Sequence, residues 1–124
     1  MAHVLVVDDN ADVREVVRRV ITKLGHEVWE AGDGAEALRL LESTRFDLII
    51  SDVYMADMDG MELLVRVQQL ERNVPVVVIS GGGYAPREEV LKMAAACGAV
   101  ATLDKPFTLE QLRDTVVPLL PATA

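Results

Sequence analysis

Short β-rich apolar runs alternate along this chain with longer stretches whose apolar residues recur at helical spacing, and no other feature of the sequence constrains the fold so tightly. The short runs are His3–Val7, Glu27–Ala31, Phe46–Ser51, Val74–Ser80 and Ala99–Leu103. After the first, Val13, Val16, Val17, Val20, Ile21 and Leu24 fall at i, i+3, i+4, i+7, i+8 and i+11, one face of a helix, and Gly25 stops it. Further helices are predicted over Gly34–Ser43, Gly60–Arg72, Pro86–Cys97 and Thr108–Leu119. In the last, Leu109, Leu112, Val116 and Leu119 are the expected buried stripe, and Pro118 weakens the final turn.

Five strands alternating with five helices predict an α/β, doubly wound parallel sheet covered on both faces. The runs VLVV, DLII and VVVI are almost continuously apolar, as strands buried on both faces are, whereas EVWEA mixes in charge and reads as an edge. That distribution suits the strand order 2-1-3-4-5. The 124 residues make one domain, 1–124, with the last helix consuming everything after Leu103 and no output domain following.

Composition narrows the function classes. Aspartate and glutamate number 20 against 12 lysines and arginines, a formal net charge of −8, which argues against direct nucleic-acid binding. The single cysteine, Cys97, cannot form an internal disulfide and reads as a small packed residue. No apolar run approaches the roughly 20 residues of a membrane span. A soluble, cytoplasmic protein without membrane contact is expected.

In an open parallel sheet, ligands sit beyond the carboxyl ends of the strands at the point where strand order reverses. Asp8 and Asp9 end the first strand and Asp52 the third, so three carboxylates are expected at one crevice. Two such charges about 4 Å apart repel by roughly 4 kcal/mol at an effective dielectric near 20. An all-oxygen, acid-rich site with room for water suits Mg²⁺. Single acids at such positions often do no more than cap helix N-termini, and Asp57 and Asp59 are read that way. The other strand ends sharpen the case: Ser80 supplies a hydroxyl and Lys105 a fixed positive charge. Carboxylates, a hydroxyl and an ammonium at one rim form a site for a transferable phosphoryl group, with aspartate as a nucleophile that forms an acyl phosphate.

VLVVDDN, the stretch Asp52–Gly60, Ser80-Gly81 and Lys105-Pro106-Phe107 together resemble the CheY-like receiver domain of bacterial two-component response regulators, with LGHEV and AGDGAEAL as smaller marks. The resemblance spans essentially the whole chain and implies a flavodoxin-like fold. It implies that Asp52 accepts a phosphoryl group from a histidine of a sensor kinase or phosphotransfer protein. It further implies that Asp9 and Asp52 bind Mg²⁺ directly, Asp8 through water, and Tyr54 through its backbone carbonyl. Ser80 and Lys105 would hold the phosphoryl oxygens. The Lys105–Pro106 bond is usually cis in such domains, although an X-Pro bond judged alone is expected trans.

The chain departs from the family pattern at two places. Alanine stands at Ala56 where proline is common, which should only loosen the loop. Thr102 occupies a position where an aromatic residue commonly swings inward with the serine or threonine, and its short side chain cannot sweep the same volume. The Gly81-Gly82-Gly83-Tyr84 loop offers a substitute, because glycines tolerate large backbone changes and Tyr84 could move with them. The plainer reading of that loop is an exposed segment with no switching role.

Other motifs are decoys. Gly32-Asp33-Gly34-Ala35-Glu36-Ala37 fits a dinucleotide fingerprint, but it follows the second strand at a predicted edge and is read as turn and helix packing. Asp57-Met58-Asp59-Gly60 lacks the alternating ligands of a calcium loop. His3 and His26 are read as surface or strand-end residues. Arg14 and Arg18 are read as a solvated face, with Glu15 pairing to Arg19; the alternative is that this helix docks the phosphodonor.

The expected function is a stand-alone, Mg²⁺-dependent phosphoacceptor switch, a signalling protein and not an enzyme beyond its own phosphorylation and dephosphorylation. The change is expected on the face formed by the helix over 86–97, the strand over 99–103 and the helix over 108–119. The signal would leave by contact with a downstream protein target, or pass onward in a phosphorelay as a phosphoryl group to a second histidine, from a monomer or a weak phosphorylation-dependent dimer. A degenerate receiver used purely as an interaction module is the rival, and the intact set Asp8, Asp9, Asp52, Ser80 and Lys105 speaks against it. A receiver fragment of a larger regulator or hybrid kinase is the other; a start at Met1 just before the first strand and the PATA tail favour a complete chain.

Overall fold

The computed structural model describes residues 2–52, 60–69, 74–80, 88, 92, 95–96 and 98–120. Five strands, β1 (His3–Val7), β2 (Glu27–Ala31), β3 (Leu48–Asp52), β4 (Val76–Ser80) and β5 (Ala101–Asp104), form one parallel sheet in the order β2-β1-β3-β4-β5. The helices are α1 (Ala11–Lys23), α2 (Gly34–Ser43), α3 (Gly60–Gln69) and α4 (Leu109–Val116), the last running into a 3₁₀ turn at Val117–Leu119. Four α-helices thus stand among the described residues where five were expected. The helix predicted over 86–97 lies largely outside them, and its described members Glu88, Lys92, Ala95 and Ala96 are helical and exposed.

Strand alternation explains the apolar runs. Leu5, Val7, Ile49, Val76 and Val78 point to one face, against Ala37 and Leu41 of α2 and Leu63 and Val67 of α3. Val4, Val6, Leu48, Ile50, Val77 and Ile79 point to the other, against Val17 and Ile21 of α1 and Leu112 and Val116 of α4. A strand inside a two-sided sheet has no solvent face, so every position along it is apolar. β2, with its charged residues, does lie at an edge.

The strand ends differ from the apolar runs by a few residues. β3 extends to Asp52 because Asp52 pairs with Ile79, and β5 extends to Asp104 because Asp104 pairs with Ser80. Ladder register, not hydrophobicity, sets where these strands stop. Two members of the expected helical stripes are also exposed: Val16 at 38% and Leu109 at 61%. Phe107, two residues before Leu109, packs against the core at that end of α4 instead.

Local signals place the helices. Asn10 caps α1, its side chain accepting from the backbone N–H groups of Asp12 and Val13. Gly25, past the end of α1, has φ +92°, a left-handed conformation that favours glycine. Asp33 caps α2 by accepting from Glu36 N, so the glycine-rich stretch after β2 serves a turn and a cap. Thr108 and Gln111 form a reciprocal capping box on α4, and Pro118 lies in the 3₁₀ turn where the α-helix ends. His26 is not a surface residue: it is 6% exposed, and its Nδ1 accepts the backbone N–H of Ala2 at 2.9 Å. The Lys105–Pro106 peptide bond is cis.

Candidate functional site

The site lies at the carboxyl ends of the strands, beside the switch point between β1 and β3. Val7 pairs with Ser51, so Asp8, just past β1, and Asp52, the last residue of β3, lie side by side at the rim of the sheet. Asp8 is fully buried and Asp52 is 6% exposed, whereas Asp9 is exposed. One carboxylate oxygen from each of Asp8, Asp9 and Asp52 lies within 4.8 Å of the others. At that separation each pair repels by at least roughly 3 kcal/mol at an effective dielectric near 20.

Lys105, just after β5, offsets part of this. Its Nζ donates to Asp52 Oδ2 at 3.0 Å and sits 3.1 Å from Asp8 Oδ2. Burial alone would lower the Lys105 pKa, but its hydrogen bond to Asp52 and the negative charges of Asp52 and Asp8 outweigh it and raise the pKa above its ordinary value. The lysine is therefore a fixed cation at neutral pH. Three carboxylates against one ammonium leave two unbalanced negative charges, the charge of one divalent cation.

The donor set fits such a cation. Asp8 Oδ1 accepts the Asn10 N–H at 2.9 Å, but buried Asp8 Oδ2 has only its ion pair and takes no hydrogen bond of good geometry. Buried polar oxygens are seldom left in that condition unless an ion or water serves them. The all-carboxylate chemistry suits a hard cation.

The remaining expected residues are not all drawn into this cluster. Ser80 ends β4, is 5% exposed, and turns its hydroxyl to Asp104, donating to Oδ1 at 3.2 Å. Thr102 lines an open groove of about 540 Å³ together with Leu103, Asp104, Pro106, Gln111, Asp114 and Thr115. Tyr54 and Tyr84, like Ala56, Asp57, Asp59 and Cys97, lie outside the described residues.

Two supporting residues escape a reading of the sequence alone. Arg14 was expected on a solvated face, yet its side chain is only 20% exposed. It donates from Nη1 to the backbone carbonyl of Asp8 and lies 3.4 Å from Glu30 on β2. Its position one turn into α1, directly after the acid pair, was the available signal. Arg18 is half-exposed and pairs with both Glu30 and Glu15, and Arg19 pairs with Glu15 at 3.1 Å as anticipated. Asp104 is the other missed residue, because the apolar run places the strand end at Leu103.

The known proteins agree with this geometry. The family described as response regulator receiver domain matches residues 4–117. Sporulation initiation phosphotransferase F of Bacillus subtilis is 30% identical over 118 residues, 95% of this chain and 93% of that protein. Sensor histidine kinase RcsC of Salmonella typhi is 34% identical over 113 residues, 91% of this chain but 12% of that protein. Among solved structures, chemotaxis protein CheY4 of Vibrio cholerae is 38% identical with a TM-score of 0.84, covering 97% of this chain and 99% of that one. With the sheet order, the strand-end acids and the lysine in place, the chain belongs to the response regulator receiver domains, the phosphoacceptor modules of two-component signalling.

Proposed function

We propose that Asp52 is the phosphoacceptor of this receiver domain, that Asp8, Asp9 and Asp52 with the backbone carbonyl of Tyr54 hold Mg²⁺, and that Ser80 and Lys105 attend the phosphoryl oxygens. Receiver domains bind Mg²⁺ through an acidic pocket and work with histidine kinases and downstream targets. The observation that carries the reading is the Lys105 ammonium between Asp52 and Asp8, with a third carboxylate beside them.

The chemistry follows from the groups. A carboxylate oxygen of Asp52 attacks phosphorus, the O–P bond forms as the P–N bond to the partner's imidazole breaks, and the leaving nitrogen takes up a proton. Bound Mg²⁺ would neutralise charge on the phosphoryl oxygens. Lys105, already within reach of Asp52, supplies a second positive charge to them, and the Ser80 hydroxyl donates to another oxygen. The near-complete burial of Asp52 limits water at the acyl phosphate.

The protein acts, in this reading, as a cytoplasmic switch. It catalyses only its own phosphorylation and dephosphorylation, and passes its state to a protein target on the face that includes β5 and α4. The sequence has a net charge of −8, which suits a protein partner over nucleic acid. No helix among the described residues is long and apolar enough to cross a membrane.

Incubation with Mg²⁺ and a small acyl-phosphate donor tests the assignment. The wild type should gain acid-stable, base-labile phosphate, and Asp52→Asn should gain none. Equal label on both proteins, or none on the wild type, would sink it.

A further inference from the structure

Ser80 and Asp104 face each other on the last rung of the β4–β5 ladder. In a parallel pair, partner residues project to the same side of the sheet, and this brings the hydroxyl and the carboxylate together. The Ser80 hydroxyl donates to Asp104 Oδ1 at 3.2 Å, while Lys105 N donates to the Ser80 carbonyl at 2.6 Å. Ser80 is thus held by its side chain and its backbone to two consecutive residues. A serine hydroxyl carries one proton and makes one donation at a time. It cannot serve the Asp104 carboxylate and a phosphoryl oxygen together.

We propose that Asp104 is a positioning residue that holds the Ser80 hydroxyl in the unphosphorylated protein and competes with the phosphoryl group for its proton. The inference rests on the reading of Asp52 as phosphoacceptor. Phosphorylation then has to break the Ser80–Asp104 bond, which at 3.2 Å is at the long end for two oxygens. Asp104 also lines the groove with Thr102, Gln111, Asp114 and Thr115. When the hydroxyl leaves, the carboxylate in that groove gives up this donor, so the surface between β5 and α4 changes with the state of Asp52. Thr102 is too short to carry such a change, and Asp104, two residues on along the strand, takes that part.

The test is a double-mutant cycle on Asp52 phosphorylation by a small acyl phosphate with Mg²⁺. Asp104→Ala should raise the rate roughly tenfold, the factor expected when one such hydrogen bond no longer has to be broken. Asp104→Asn keeps an oxygen acceptor and should stay much closer to the wild type. In a Ser80→Ala background, Asp104→Ala should change nothing. An Asp104→Ala rate equal to wild type, or an equal acceleration with and without Ser80, would overturn the proposal. A readout independent of phosphorylation separates it from the parent reading: the Ser80 Cα–Cβ rotamer, from NMR couplings in the unphosphorylated protein. It should change in Asp104→Ala and hold in Asp104→Asn, and an unchanged rotamer in both overturns the hold even if Asp52 is phosphorylated normally. If the rotamer responds as expected but Asp52 takes no phosphate, the phosphoacceptor reading fails, and with it the competition for the Ser80 proton.

Discussion

Lys105 Nζ donates to Asp52 Oδ2 at 3.0 Å, joining the residue after β5 to the last residue of β3 across the end of β4. The same ammonium lies 3.1 Å from fully buried Asp8. One flexible side chain therefore balances charge from two strands, and its loss is felt at both.

Replacing Lys105 by methionine keeps most of the side-chain volume and removes the charge. Breaking a fully buried pair costs about 3–5 kcal/mol, but the Lys105 side chain is 26% exposed, so about 1–3 kcal/mol is expected in the presence of chelator. Urea unfolding measures this directly, and an unchanged midpoint would contradict it. The pH dependence follows from the raised lysine pKa. The contribution is fully present below the ordinary value of 10.5 and is lost as pH rises through the higher folded value. Lys105→Met should lack this alkaline loss.

Mg²⁺ should stabilise the wild type, because the folded site gathers carboxylates that the unfolded chain disperses. At a free concentration 100 times the dissociation constant the gain is about 2.7 kcal/mol, worth about 10 °C in Tm. Asp8→Asn and Asp52→Asn should melt higher than wild type without metal, since each relieves repulsion, and should gain much less from Mg²⁺. Thermal melts with and without chelator read both effects. An Asp52→Asn protein that gains as much as wild type would place the cation elsewhere.

His26→Ala should destabilise the protein by about 1–3 kcal/mol, the cost of leaving a buried N–H without its acceptor. The donor is Ala2 N, and Ala2 is fully buried while its carbonyl accepts from Glu27 N at 3.0 Å. The damage should be local to the start of β1 and the start of β2. Hydrogen exchange should therefore show faster opening there than at β3 or β4, and uniform acceleration would be the wrong result.

Asn10→Ala removes the cap of α1 and should cost about 1 kcal/mol, whereas Asn10→Asp should be nearly neutral as a cap. The aspartate would, however, place a fourth carboxylate beside Asp8 and Asp9. Its stability should consequently fall in chelator and recover in Mg²⁺, a difference that equilibrium unfolding under the two conditions resolves.

Several parts of the molecule are legible in the sequence alone. Short β-rich apolar runs and period-3.6 patterns are local properties, so the five strands and the helices α1, α2, α3 and α4 could be read directly. The strand order followed because only two-sided burial makes runs such as VLVV and VVVI apolar at every position. Asp8, Asp9 and Asp52 were expected at one place for the same reason, since a parallel sheet brings its strand ends to one rim. What the sequence determined alone is therefore the layered α/β sheet and the meeting of those acids.

Only the tertiary structure decided which atoms meet. Ser80 and Asp104 are 24 residues apart and touch because β4 and β5 pair in one register out of several that the apolar pattern would allow. Arg14 reaches the Asp8 carbonyl and Glu30 because α1 packs back across β1 and β2, and no spacing along the chain encodes that crossing. His26 is buried because the chain start folds onto it, and Leu109 is exposed because Phe107 already fills that end of the core. Periodicity tells each side chain which face to seek. Register and packing angle decide its neighbour, because they come from pairing and close packing between segments distant in the chain.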